Sequence, residues 1–327
     1  MKKYQSGSLP SSRRKFLFES SSAAASIATG LAMANVAAAE TKASSPRQPN
    51  ENKMRYCLNT STIQGEMIPI WEQVEIAKRA GYNGIEIWLR DVDKFEKDGG
   101  KRSDLKKHIA DSGLTVESAI AFAAWIINDD EARKRGLEQA KREMQMVVDL
   151  GGKRIAAPPA GASNAGSPMI SLDDAGLRYR DLLNVGAQIG CVPQIEVWGF
   201  SKNLSKLSQV LYVAAAAQHP DACILPDIYH LYKGGSEFED IKFLAGNKIE
   251  VFHLNDYPDI PREKINDSDR VYPGDGIAPV TEVLRRVMAT GFNGVLSLEL
   301  FNRKYWEQDP NVVAAEGLRK MKAVIPT

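Results

Sequence analysis

The sequence predicts a single (β/α)8 TIM barrel of the α/β class. Three observations predict it. A unit of helix, glycine stop and short apolar strand recurs eight times, and strands alternating with helices imply parallel βα units. The turn after the first strand, Asn59-Thr-Ser-Thr-Ile-Gln-Gly65, carries no G-x-G-x-x-G and the chain has no P-loop, which argues against an open dinucleotide-binding sheet. Four of the later apolar runs end in Glu, Asp, His and Glu, the strand-end position where barrels keep their chemistry.

Arg55-Tyr-Cys-Leu-Asn59 reads as the first strand, and residues 66–80 as a helix with Ile70, Val74, Ile76 and Ala77 on one face. Gly81 and Gly84 break it before a strand over 85–89. A helix over 105–111 and the stop Ser112-Gly113 lead to a strand over 114–120. A long helix over 131–150 and Gly151-Gly152 lead to a strand over 154–157. The fifth unit is a helix over 175–189, Gly190 and a strand over 192–196. The sixth is a helix over 204–218 and a strand over 223–227. The seventh runs through 238–244 and Gly246 to a strand over 249–253, and the eighth through 280–290 and Gly291 to a strand over 294–299. A helix over 312–324 closes the chain.

Residues 1–39 have the pattern of a twin-arginine signal peptide: Ser12-Arg-Arg-Lys-Phe-Leu17, an Ala- and Ser-rich apolar stretch, and an A-x-A ending at Ala39. The expected location is therefore periplasmic or secreted. Residues 40–53 lack any apolar anchor and are expected to be a disordered linker, so the folded domain is expected over 54–327. A formal net charge of +1 with no basic stripe argues against nucleic acid as a partner. Beyond the signal no apolar run approaches membrane-spanning length. Cys57, Cys191 and Cys223 lie at or within strands and read as small buried hydrophobes.

Glu196 ends Cys191-Val-Pro-Gln-Ile-Glu196, Asp227 ends Ile224-Leu-Pro-Asp227 with His230 three residues on, His253 ends the seventh strand and Glu299 the eighth. Three carboxylates and one imidazole suit one hard or borderline divalent ion, Mn2+ first, with Mg2+, Co2+ and Zn2+ as alternatives. Glu86 and Trp88 alternate with Ile85 and Ile87, so both face inward. Glu86 reads first as a hydrogen-bonded core carboxylate and second as a substrate contact. Trp125, Trp198 and Phe301 are candidates for an apolar wall at the barrel mouth. His108 and His219 read as surface groups.

Glu196 in I-E-V-W-G, Asp227 and His230 in D-I-Y-H, His253 in H-L-N-D, the turn Pro-Gly-Asp-Gly at 273–276 and Glu299 in L-S-L-E-L carry a resemblance. The chain resembles the xylose isomerase-like TIM barrels, a sugar isomerase and epimerase family that includes ketose 3-epimerases, hydroxypyruvate isomerases and inosose dehydratases. The resemblance covers essentially everything after Arg55. It implies that Glu196, Asp227, His253 and Glu299 hold the metal, and that Glu196 and Glu299 also exchange protons with the substrate. It implies too that His230 and an arginine after the seventh strand touch substrate oxygens, in a protein that pairs into homodimers or homotetramers. Arg270 is the best match for that arginine and Arg262, in the same long polar insert, is its rival.

The expected function is metal-dependent isomerisation or epimerisation of a free sugar or keto-sugar by proton abstraction alpha to a carbonyl. Elimination from a keto-sugar or 3-keto-glycoside shares the first step. A sugar-binding protein without catalysis is the reading from another class.

Overall fold

The computed structural model describes residues 54–327, Glu66 excepted. The expected signal peptide and linker lie outside the described residues. Eight strands, β1 (Arg55–Asn59), β2 (Gly84–Trp88), β3 (Thr115–Ile120), β4 (Arg154–Ala157), β5 (Val192–Glu196), β6 (Ile224–Leu225), β7 (Val251–Leu254) and β8 (Val295–Leu298), alternate with helical segments. Hydrogen-bonded ladders, all parallel, join them in the orders β3-β2-β1-β8-β7 and β4-β5-β6. Bridges at Ile224–Ile249 and Asp227–His253 connect β6 to β7, and β3 lies against β4. The strand order thus returns on itself as a TIM barrel.

The main helices are α1 (Ile70–Ala80), α2 (Leu89–Lys97), α3 (Arg102–Asp111), α4 (Asp130–Asp149), α5 (Leu172–Ile189), α6 (Leu207–Ala216), α7 (Ile228–Gly234), α8 (Val280–Ala289), α9 (Arg303–Trp306) and α10 (Pro310–Ala323). Gly81 and Gly190, each at φ 86°, end α1 and α5 in the left-handed conformation that any Cβ would strain. Pleat parity separates two cores. Ile85 and Ile87 belong to the large cluster under the helices. Trp88, Ile120, Ala156, Leu225 and Val251 form a small cluster within the ring of strands.

The differences from the sequence reading have local causes. The first helix starts at Ile70 rather than near 66, because Ile68 precedes Pro69 and a residue before proline avoids the helical region. The sixth strand shortens to two residues because Pro226 has no N–H for the ladder; its carbonyl still accepts from the His253 N–H at 2.9 Å. Helices α2 and α7 were not expected. In α7 the Asp227 side chain accepts from the His230 N–H and Gly235 stops the helix after two turns. The segment expected as a helix over 238–244 is a 3-10 turn at Phe238–Phe243. Among the described residues no helix is long and apolar enough to cross a membrane. The three cysteines are free and buried.

Candidate active site

The C-terminal ends of β1, β5, β7 and β8, the middle of β2 and the segment after β6 deliver Asn59, Glu196, His253, Glu299, Glu86 and Asp227 to one buried cluster. His253 is at its centre. Its Nε2 lies 3.0 Å from Glu86 Oε2. Its Nδ1 lies 3.1 Å from Glu299 Oε2, 3.6 Å from Asp227 Oδ2 and 3.8 Å from Glu196 Oε1, yet makes no hydrogen bond. One imidazole nitrogen therefore faces three carboxylates without being satisfied by any.

Partners on the outer side of these groups set their positions. Glu86 Oε2 also accepts from Ser297 Oγ at 2.7 Å and from Asn59 Nδ2 at 3.0 Å. The same Asn59 amide donates to Glu299 Oε1 at 3.1 Å, while its carbonyl oxygen accepts from Trp88 Nε1 at 3.0 Å. Asp227 Oδ2 accepts from Asn255 Nδ2 at 2.9 Å. Arg270, fully buried, donates through one terminal nitrogen to Asp227 at 2.8 Å and Glu299 at 2.9 Å, and through the other to Asp267 at 2.6 Å. That second nitrogen is 3.1 Å from His230 Nε2, and the Arg270 Nε has no partner.

Burial dominates the electrostatics and is opposed differently at each group. Burial raises the Glu196 carboxyl well above its ordinary value; His253 opposes this, and Glu299, Asp227 and Glu86 add to it. At Asp227 burial acts upward too, but Arg270 and His230 outweigh it and hold the carboxyl far below the usual carboxylate range. Burial disfavours the His253 imidazolium, but Glu299 and Glu86 reverse that and raise its pKa well above the ordinary value. His230 is lowered, chiefly by burial, with Asp227 pulling up and Arg270 adding to the fall.

These residues fit a divalent cation. Four buried carboxyl groups (Glu86, Glu196, Asp227, Glu299) crowd around one guanidinium, that of Arg270, and one imidazole, that of His253, and the raised pKa of Glu196 follows from its burial, with that crowding adding to it. Buried charge is tolerated only when paired or metal-bound. Ligand atoms of Glu196, His253 and Glu299 lie within 4.8 Å of one another, and the hydrogen bond from Nε2 to Glu86 is the support that metal-bound histidines have.

A cavity of about 430 Å³ opens above the cluster, and Glu196, Glu299, His230 and Arg270 all line it. Arg270, not Arg262, reaches the site; the Arg262 guanidinium lies 5.3 Å over the Tyr232 ring. Trp198 and Phe301 line the cavity. Trp125 does not: it is buried with its N–H on the Pro158 carbonyl at 2.7 Å. Glu86 sits beneath the floor, bonded to His253 and fully buried, rather than facing the cavity. Helix α7, not a strand mouth, carries His230. His108 stacks on Trp71 with ring centres 3.8 Å apart and does not line the cavity.

Asn59, Ser297, Phe122, Phe200 and the 266–268 turn escaped the sequence reading. Asn59 had a readable signal, being the polar residue that ends the first strand. Phe122 and Phe200 follow β3 and β5 in loops, where an aromatic residue alone says little.

Comparison with known proteins agrees with this architecture. The family model described as xylose isomerase-like TIM barrel matches residues 74–324. Inosose isomerase of Bacillus velezensis is 24% identical over 256 residues, 78% of this chain and 91% of that protein. The 3-dehydroshikimate dehydratase of Pseudomonas putida is 24% identical over 82% of this chain, which spans only 41% of that longer protein. Fructoselysine 3-epimerase of Escherichia coli O157:H7 is 22% identical over 81% of this chain and 97% of its own length. A crystal structure of the IolI protein with a zinc atom superposes with a TM-score of 0.77 at 22% identity, over 83% of this chain and 98% of that one. The curated relatives are isomerases, epimerases and dehydratases, and the chain belongs to the xylose isomerase-like TIM barrel family.

Proposed function

We propose that this protein is a divalent-metal-dependent isomerase or epimerase that removes a proton alpha to the carbonyl of a free sugar or keto-sugar. The observation that carries the reading is the His253 Nδ1, unsatisfied among three carboxylates, beneath a cavity lined by two of them. Glu196, Asp227, His253 and Glu299 would hold the ion, Mn2+ being the first choice by donor set. Once bound, it supplies Lewis-acid stabilisation of the negative charge that develops on substrate oxygens.

The remaining chemistry belongs to the side chains. Glu196 and Glu299 are the cluster carboxylates that line the cavity, so one takes the proton from carbon and the other, or the same one, returns it. Return to the same carbon from the opposite face gives an epimer, and return to the neighbouring carbon gives an isomer. Arg270 and Asn59 engage Glu299 on both oxygens, which fixes its orientation toward the cavity. His230 and Trp198 would contact the substrate, and Arg270 has only its Nε still without a partner. The aromatic wall keeps water from the carbanion-like carbon.

Elimination is the second reading, supported by the 3-dehydroshikimate dehydratase relative. It uses the same first step and loses a beta substituent instead of regaining a proton. We also infer, from Arg13-Arg14 and the A-x-A at Ala39, that the chain is exported by the twin-arginine route; an N-terminus near Glu40 in the periplasmic fraction tests this.

Solvent deuterium exchange tests the reaction. Keto-sugars incubated with the protein and Mn2+ in D2O should lose the proton alpha to the carbonyl, and Glu299→Gln should abolish this. Metal-independent exchange, or exchange that survives the substitution, rules the assignment out.

A further inference from the structure

The walls of the cavity differ in kind from its floor. Phe301, Trp88, Phe122, Trp198, Phe200 and His230 all line it and form a continuous belt. Successive ring centres are 6.0, 5.4, 6.0, 5.0 and 5.6 Å apart. Arg270 closes the belt between Phe301, its guanidinium 5.0 Å from that ring, and His230, whose Nε2 is 3.1 Å from its terminal nitrogen. Glu196, Glu299 and Arg270 lie at the floor, and Asp267, Arg303 and the polar Asn266 and Ser268 line the cavity outside the belt.

A sugar ring at the reacting end needs polar partners for its rim hydroxyls, which the floor supplies, and leaves the belt free for the flat face of a further ring. The belt offers faces for flat apolar groups, with few acceptors or donors. Two of its members behave unlike packing residues. Phe122 is 42% exposed and Phe200 43% exposed, whereas Trp125, also after β3, is 1% exposed with its N–H satisfied by a backbone carbonyl. An aromatic ring left open at a cavity mouth is unused contact area. The cavity of about 430 Å³ also falls in the range of sites that enclose drug-sized ligands, about 300–1,000 Å³.

We propose that the substrate is a sugar bearing a second ring, with the polyol end on the carboxylate floor and the appended ring against Phe122 and Phe200. The proposal rests on the sugar-processing reading above. The appended ring is an aromatic aglycone or a second pyranose, both of which present a flat C–H or π face to the belt.

Isothermal titration of the purified protein with glucose, phenyl β-D-glucopyranoside and cellobiose tests it. At least one two-ring ligand should bind on the order of tenfold more tightly than glucose. Phe122→Ala and Phe200→Ala should each shrink that ratio, and both positions are open enough for the fold to survive, as a thermal melt will show. A stronger effect on the phenyl glycoside identifies an aromatic aglycone, and one on cellobiose a second sugar. Equal affinity for all three ligands, parallel weakening of glucose and the two-ring ligands in the variants, or no two-ring binding overturns the proposal. Deuterium exchange on a single-ring keto-sugar separates the two failures. Exchange without a two-ring preference sinks this inference alone, and two-ring binding without exchange on any keto-sugar sinks the reaction alone.

Discussion

The two ends of the barrel carry the same residue types and use them in opposite ways. At the N-terminal ends of the strands Arg55 meets Glu117 at 2.9 Å and Arg154 meets Glu250 at 2.5 Å. Each carboxylate has its own guanidinium, and each pair keeps at least one partner near solvent. At the C-terminal ends Glu86, Glu196, Asp227 and Glu299 share Arg270 and His253, all buried. Paired charge at the first end ties together strands that are not ladder neighbours, β1 to β3 and β4 to the residue before β7. Carboxyl groups crowded beyond their cationic partners at the second are costly for the fold and are the signature of a site built for a cation and for proton transfer.

The contrast can be broken most forcefully at the C-terminal end. Glu196→Gln and Glu299→Gln should each lower the deuterium exchange rate by about 10²- to 10⁴-fold, the range for losing a general acid or base. The next largest effect is expected at Glu86. Glu86→Ala removes the acceptor at His253 Nε2 and should weaken metal binding by about 10- to 100-fold, read by competition with a chelating dye. Glu86→Gln, which keeps an oxygen there, should lose less.

A pH series sharpens the comparison. In the metal-free protein the His253 pKa is raised, so its stabilising contribution is complete below the unfolded imidazole value and is lost as pH rises through the folded one. Metal binding must displace that proton and so strengthens with pH. The rise in melting temperature on adding Mn2+ should therefore grow from acid to neutral pH and above. A rise that shrinks with pH would show that His253 is not a ligand. The smallest effect is expected at the other end: Arg154→Gln should cost no more than about 1 kcal/mol in urea unfolding and leave the exchange rate unchanged.

Much of the barrel is legible in the sequence because its strands are short apolar runs bounded by glycine. β4 and β5 occupy the residues that the pattern marks. The strand-end acids are legible for the same reason, since an apolar run that stops at Glu196 or Glu299 puts that side chain at the barrel mouth. Helix α7 was hidden because its N-cap, Asp227, also closes the apolar run that reads as the sixth strand, and one residue cannot announce both roles. Asn59 carried the strand-end signal, but an amide there is ordinary until its partners, Glu86 and Glu299, are known. The aromatic belt was only partly legible, Trp198 and Phe301 being marked, Phe122 and Phe200 not.

The order of helices and strands, the inward parity of Glu86 and Trp88, and the identity of the acids at the strand ends belong to the sequence alone, because they follow from local periodicity and from where apolar runs stop. The tertiary structure decided which groups meet. Closure of the barrel brings Glu86 to His253, 167 residues apart, and Asn59 to Glu299, 240 apart. It selected Arg270 over Arg262, moved Trp125 out of the cavity, and left His253 Nδ1 facing three carboxylates. Those outcomes depend on side-chain direction and on charge summed over distant segments, and neither quantity is written in any one stretch of the chain.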